Sequence, residues 1–275
     1  MIGGIDAGSA RVLAALMEAR TGQQIAAGRS WRFDTALGPL IQSLGLTRAD
    51  QLTARLIEGK DPQLADRIID ALLNQETSFF RDGAVLESAV RAALDIGVPQ
   101  RVWCAACATG QEPLSLAMLF AEAGIKPEII ATDVSSAAIA RARAGLYTQF
   151  EIQRGLPIRR MVTWFEPTPD NQWTASAALM GAIQYRRHNL VADPAPAGEF
   201  DLILCRNVLF YLVPALREQV LATLARALRP DGLLLLGAGE TVIGQSERLR
   251  PSRRSRGFYE RVPDADDRNR VYSGA

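Results

Sequence analysis

The chain has 275 residues, 48% hydrophobic and 22% charged, with a formal net charge of +1. This balance excludes a largely disordered chain and supplies enough apolar material for a sizeable core. It gives no electrostatic reason to expect nucleic acid or an anionic membrane as a partner, so neither is expected.

The first ten residues hold no basic region followed by an apolar run. The longest apolar stretch in the second half, residues 233–236, is far too short for a bilayer. A cytoplasmic protein without membrane insertion is expected, in line with only three cysteines, Cys104, Cys107 and Cys205. Across residues 9–95, apolar positions recur at three- and four-residue spacing, as in Leu13, Leu16 and Met17 and again in Leu52, Leu56 and Ile57. That spacing predicts helices and no strand. Thr47 with Asp50 resembles a capping box, and Asp61-Pro62 reads as an N-cap followed by proline at the first helical position. The helix from there carries Leu64, Ile68, Ile69, Leu72 and Leu73 on one face.

The pattern changes near Pro99. Residues 101–104, 129–133 and 200–205 are short β-forming runs. Helical stretches follow each: one carries Leu114, Leu116, Met118 and Phe120, the next is capped by Ser135, and the last runs from Pro214 to about Leu228. Pro230-Asp231-Gly232 ends that helix, and residues 233–236 suit a fully buried strand. Strands alternating with helices predict a parallel, doubly wound α/β sheet. Between residues 146 and 185 the alternation lapses, and Trp164-Phe165, a turn at Pro169-Asp170-Asn171 and Trp173 predict an inserted hairpin. Gly257-Phe258-Tyr259-Glu260 adds a last antiparallel strand, and residues 263–275 read as a frayed tail. The expected organisation is a helical domain with linker over residues 1–95 and an α/β domain over 96–275, with a small β insert at about 147–182.

In an open parallel sheet, ligands bind beyond the carboxyl ends of the strands. Three segments should meet there. The small-residue loop Ala105-Ala106-Cys107-Ala108-Thr109-Gly110 lets a ligand approach the backbone and a helix N-terminus. Asp133, ending the next strand, is placed to accept hydrogen bonds from both hydroxyls of a ribose. Cys205-Arg206-Asn207 ends the strand over 200–205. This arrangement is common to many nucleotide sites.

A more specific signal lies in longer motifs. The segment Glu76-Thr77-Ser78-Phe79-Phe80-Arg81-Asp82, the run WCAACATGQEPLSLAM from Trp103, Ala131-Thr132-Asp133-Val134-Ser135 and the run FDLILCRNVLFY from Phe200 resemble, in order and spacing, the CheR family of chemoreceptor glutamate O-methyltransferases. The stretches Gln149 to Pro157 and Leu236 to Thr241 are similar to that family as well. The resemblance implies a Rossmann-like class I methyltransferase sheet with an N-terminal all-helical domain and a small β insert. It implies S-adenosylmethionine as cofactor, S-adenosylhomocysteine as product and no metal. It also implies chemoreceptor cytoplasmic helices, or another signalling protein, as partner, with the enzyme acting as a monomer. Carried over residue by residue, it puts Gln75, Thr77, Arg81, Glu112, Asp133, Asn189, Leu190, Arg206 and Asn207 at the cofactor, with Arg81 and Tyr211 at the reacting end. An acceptor glutamate is its own nucleophile, so the lack of a second histidine beside His188 costs nothing. The alternatives are a weakly active or inactive cofactor-binding signalling module, and a methyltransferase with another acceptor.

The sequence departs from the family at several positions. Gln75 stands where the family has asparagine, with Asn74 just before it. The second N-terminal helix is basic in the family, and the matching stretch here, residues 36–40, is uncharged. Simpler readings cover other features: Cys104 and Cys107 as small residues at a strand end, His188 and Phe79-Phe80 as packing residues, Trp164 and Trp173 as the hairpin's own core, and the arginines between 248 and 256 as a solvated loop.

Overall fold

A computed structural model describes residues 5–25 and 31–263. Four helices form the first layer: α1 Ala7–Thr21, α2 Trp31–Ser43, α3 Ala49–Glu58 and α4 Leu64–Leu72. Asp6 caps α1 by accepting from the backbone N–H of Gly8 and Ser9. The helices bury one shared core, built on Leu13, Met17, Leu37, Ile41, Leu52 and Ile68. Two local expectations are corrected here. At α3 the reciprocal cap is Gln51, whose Oε1 accepts from the N–H of Thr47 and Arg48, while Asp50 pairs with Arg48. An acid one residue earlier points along a different face of the first turn. Asp61-Pro62 forms a turn that leads into α4, with Asp61 Oδ1 accepting from Gln63 N, so the helix starts at Leu64. Leu73 caps the helix in extended conformation and turns the chain toward the second layer.

Helix α5 (Gly83–Ile96) belongs to that second layer: its Leu86, Ala89, Val90 and Ala93 pack in the core of the sheet, not with the bundle. The sheet is built from β1 Arg101–Ala105, β2 Glu128–Asp133, β6 Ile183–Arg187, β7 Phe200–Cys205 and β8 Leu228–Leu236, all parallel, with β10 Tyr259–Arg261 and β9 Leu249–Pro251 antiparallel at one edge. Its strand order is β6-β2-β1-β7-β8-β10-β9. Both faces are covered, which is why the strands read as continuous apolar runs. Val102, Cys104, Leu202 and Leu204 face α5, α6 (Gln111–Glu122) and the insert. Trp103, Ala105, Ile203 and Cys205 face α11 (Pro214–Ala227). The chain runs outward through β1, β2 and β6 and then returns to β7, so the switch point falls between β1 and β7.

The α7 helix (Ser136–Ala144) is capped by Ser135. After it the insert holds a three-stranded antiparallel sheet of order β3-β5-β4: β3 Leu146–Thr148, β4 Phe165–Pro167 and β5 Gln172–Ala175. Short helices α8 Gln149–Gln153, α9 Ile158–Trp164 and α10 Ala177–Met180 complete it. Asn171, at φ 57°, makes the hairpin turn that the Pro-Asp-Asn signal predicts. Pro230-Asp231-Gly232 does not separate helix from strand: β8 already pairs at Leu228 with Phe200 and resumes at Leu233 opposite Leu202. The extra residues bulge outward, where Arg229 pairs with Asp201 at 2.7 Å. Of the expected tail over 263–275, residues 264–275 lie outside the described residues. No helix among the described residues is long and apolar enough to cross a membrane.

Candidate active site

The loop after β1 holds Ala106 at φ 64° and Ala108 at φ 48°, a conformation that suits glycine better than alanine. It is held by two bonds to β2: Cys107 N donates to Thr132 O, and Ala108 N donates to Asp133 Oδ2, both at 2.9 Å. Asp133 Oδ1 accepts from Ser135 N. Each carboxylate oxygen thus takes one backbone donor and keeps a lone pair for a ligand hydroxyl. Burial raises the Asp133 pKa, against the pull of these donors.

The segment from residue 74 to 82 crosses this rim. Phe79 is fully buried, edge-on to Tyr147 and Phe165 of the insert. Phe80 (φ 48°) and Asp82 (φ 54°) are in the left-handed region, and Phe80 N donates to Ser115 Oγ. Five of the six non-glycine residues with positive φ among those described flank this rim, and Asn207 (φ 60°) is the fifth. Such backbone is costly and persists where surrounding packing enforces it.

Arg206 ties these parts together. Its side chain is 2% exposed, and Nη1 donates to Glu112 Oε2 at 2.8 Å while Nη2 donates to Asp82 Oδ2 at 2.5 Å. Both nitrogens also reach Arg81 O at 3.3 Å. The Glu112 carboxyl is raised by burial, opposed by Arg206 and Arg81. The Arg206 Nε–H is buried without a protein partner.

All ten expected residues line one cavity. Gln75, Asn189 and Tyr211 also have engaged side chains there, like Asp133, Glu112 and Arg206. Gln75 Nε2 donates to Ser135 Oγ at 2.9 Å, so the longer amide reaches the helix cap beside Asp133. Asn189 donates from Nδ2 to Arg20 O and accepts at Oδ1 from Val191 N, which ties the adjoining loop to the end of α1. Tyr211 OH accepts from Asn74 Nδ2.

Two positions that hold the rim together were not singled out by sequence reasoning. Glu240 accepts at Oε2 from Asn207 N and Gly237 N, and at Oε1 from Val208 N and Leu209 N. Its only signal was membership in the Leu236 to Thr241 stretch. Asn74 gave no signal beyond lying next to Gln75. The simpler readings hold elsewhere. Cys104 and Cys107 are buried free thiols pushed well above their ordinary pKa by burial. His188 packs edge-on to Trp103, with Nε2 2.9 Å from Pro194 O. The solvated-loop reading does not hold for two of the arginines between 248 and 256: Arg250, in β9, and Arg254 close on the buried Glu260.

Residues 75–258 match the family model described as the CheR methyltransferase, SAM binding domain. The chain belongs to the CheR methyltransferase family. A chemotaxis protein methyltransferase of Vibrio parahaemolyticus is 32% identical over 85% of this chain and 89% of its own. Chemotaxis protein methyltransferase 1 of Pseudomonas aeruginosa is 31% identical over 82% and 87%. Among solved structures, the N-methyltransferase NodS of Bradyrhizobium japonicum, in complex with S-adenosyl-L-homocysteine, covers 56% of this chain and 60% of its own at 21% identity and a TM-score of 0.36. The cofactor of this CheR-family chain is S-adenosylmethionine, and the rim fits it. Asp133 offers spare acceptors for hydroxyls, Glu112 an anion, and the buried Arg206 Nε a donor in want of an acceptor.

Proposed function

We propose that this protein methylates glutamate side chains of chemoreceptor cytoplasmic helices, and that Arg81 and Tyr211 form the reacting end of its cavity. The observation that carries the reading is the closure of the 74–82 segment over the sheet rim, which brings Thr77 and Arg81 into one cavity with Asp133 and Arg206. When bound, S-adenosylmethionine supplies a methyl group already activated by its sulfonium, and S-adenosylhomocysteine is the product. Asp133 holds the ribose. Leu190 borders the adenine, while Asn189 shapes that wall by anchoring its loop to α1. Glu112 faces the cofactor's ammonium, and Arg206, Asn207, Gln75 and Thr77 complete the enclosure.

The acceptor carboxylate needs no base, because it is already an anion at neutral pH. The work of the chain is to hold it in line with the methyl group and strip its water. Arg81 is half-buried, with Nη1 donating to Glu76 O at 3.1 Å. Its remaining donors are suited to one carboxylate oxygen, leaving the other to attack.

The exposed face of α2 supports an altered receptor contact. Among residues 33–43 of that helix, the exposed ones are Thr35, Pro39, Gln42 and Ser43, all uncharged, and Pro39 sits inside the helix. The test is incubation of purified protein with methyl-labelled cofactor and the organism's own membranes. Base-labile label released as methanol from a band of receptor size is the expected result. A base-stable label identifies a different acceptor and removes the reading.

A further inference from the structure

Tyr211 is held at two points, one on its main chain and one on its phenol. Its main-chain carbonyl accepts from Gln24 N at 2.9 Å, beside the bridge between Gln23 and Leu212. Its hydroxyl accepts from Asn74 Nδ2 at 2.5 Å. Asn74 is the residue that follows Leu73, where the chain leaves α4 and enters the segment that forms the cavity wall. The amide that the family places one position later is here Gln75, and it is spent on Ser135. The chain therefore carries two neighbouring amides with different tasks.

A phenolic oxygen carries one hydrogen, which lies near the ring plane on one side or the other. A donor on one in-plane side leaves the hydrogen on the opposite side. An amide N–H can only donate, so Asn74 cannot draw the Tyr211 hydrogen to itself through Nδ2. We propose that Asn74 is a positioning residue that fixes the rotor of Tyr211, so that the phenolic hydrogen is presented to the acceptor carboxylate inside the cavity. Together with Arg81 this gives the carboxylate two donors from opposite domains. The inference rests on the reading of Tyr211 as part of the reacting end.

The test compares Asn74→Asp, Asn74→Ala and Tyr211→Phe, alone and combined, with receptor-bearing membranes as acceptor. In Asn74→Asp the isosteric carboxylate accepts the phenolic hydrogen and withdraws it from the cavity. Turnover should fall about tenfold or more, below that of Asn74→Ala, because a charge-assisted bond is stronger than the neutral one it replaces. The affinity for S-adenosylhomocysteine, read by calorimetry, should stay within about twofold of wild type. In the Tyr211→Phe background both Asn74 substitutions should have no further effect on turnover, as expected for residues acting through one contact. The side-chain amide protons of Asn74 should shift in the NMR spectrum of Tyr211→Phe. Wild-type turnover in Asn74→Asp, or equal losses with and without the Tyr211 hydroxyl, overturns the proposal. Absence of receptor methylation by the wild-type protein would instead remove the functional reading beneath it.

Discussion

The carboxylate of Glu240 bonds the backbone N–H of Asn207 at 2.8 Å and holds it where its own φ of 60° is unfavourable. The same carboxylate takes the N–H groups of Val208, Leu209 and Gly237. A Cβ on Gly237 would lie 2.8 Å from Asn207 N and 2.7 Å from Glu240 Oε2, so this close approach requires glycine. Glu240→Ala strips four donors of their acceptor at once. It should cost about 2–4 kcal/mol in urea unfolding, the scale for losing a half-buried charged acceptor that serves four donors. It should also weaken S-adenosylhomocysteine binding, read by calorimetry. Glu240→Gln keeps one acceptor oxygen and should fall between.

Gly155 has φ 94°, and a Cβ there would lie 2.1 Å from Phe79 O. Gly155→Ala should therefore push the insert off the Phe79 segment, lowering stability by about 2 kcal/mol or more by strain and clash together. Gly239 has no atom within 4 Å of a built Cβ. Gly239→Ala should stay within about 0.5 kcal/mol of wild type, as surface substitutions do. Equal unfolding midpoints for the two variants would contradict the close approach.

Glu112 predicts a pH dependence with a definite sign. Burial raises its folded-state pKa above the unfolded value of about 4.3. In that window the native state binds more protons than the unfolded chain, so the stability this group contributes is complete below the window and is lost as pH rises through it. Asp133 carries the same sign. The stability of wild type relative to Glu112→Gln should decline as pH rises from about 4 toward neutrality. Unfolding curves at stepped pH without cofactor check this, and a rising difference would contradict it.

Arg81→Ala should leave the fold intact, because Arg81 gives Arg206 only its main-chain carbonyl. Turnover should drop about a hundredfold, the scale of losing one transition-state donor. Arg81→Lys should not restore it, since an ammonium lacks the planar fork. Normal turnover in Arg81→Ala would remove the residue from the reacting end.

Much of the architecture was legible because its signals are local. The alternation of the runs at 101–104, 129–133 and 200–205 with amphipathic helices gave the parallel sheet, and small residues after β1 with Asp133 gave its ligand rim. What was missed lacks a local signal. Strand β6 has only Ile183 and Tyr185 buried and ends on the exposed Arg186 and Arg187, as suits an edge strand. Strand β9 spans three residues and exists only by pairing with β10. The packing of α5 on the sheet follows from which core its apolar face meets, and helical periodicity is the same in either case. Asn74 and Tyr211 lie 137 residues apart, and no spacing rule connects them.

The strand-like bridge between Gln23 and Leu212 ties the chain that leaves α1 to the backbone beside Tyr211. A tilt of α1 during docking of a large helical partner would be felt first at the peptide groups beside Tyr211. Under the function proposed above, grip on the partner and alignment of the transfer would be mechanically linked through this bridge.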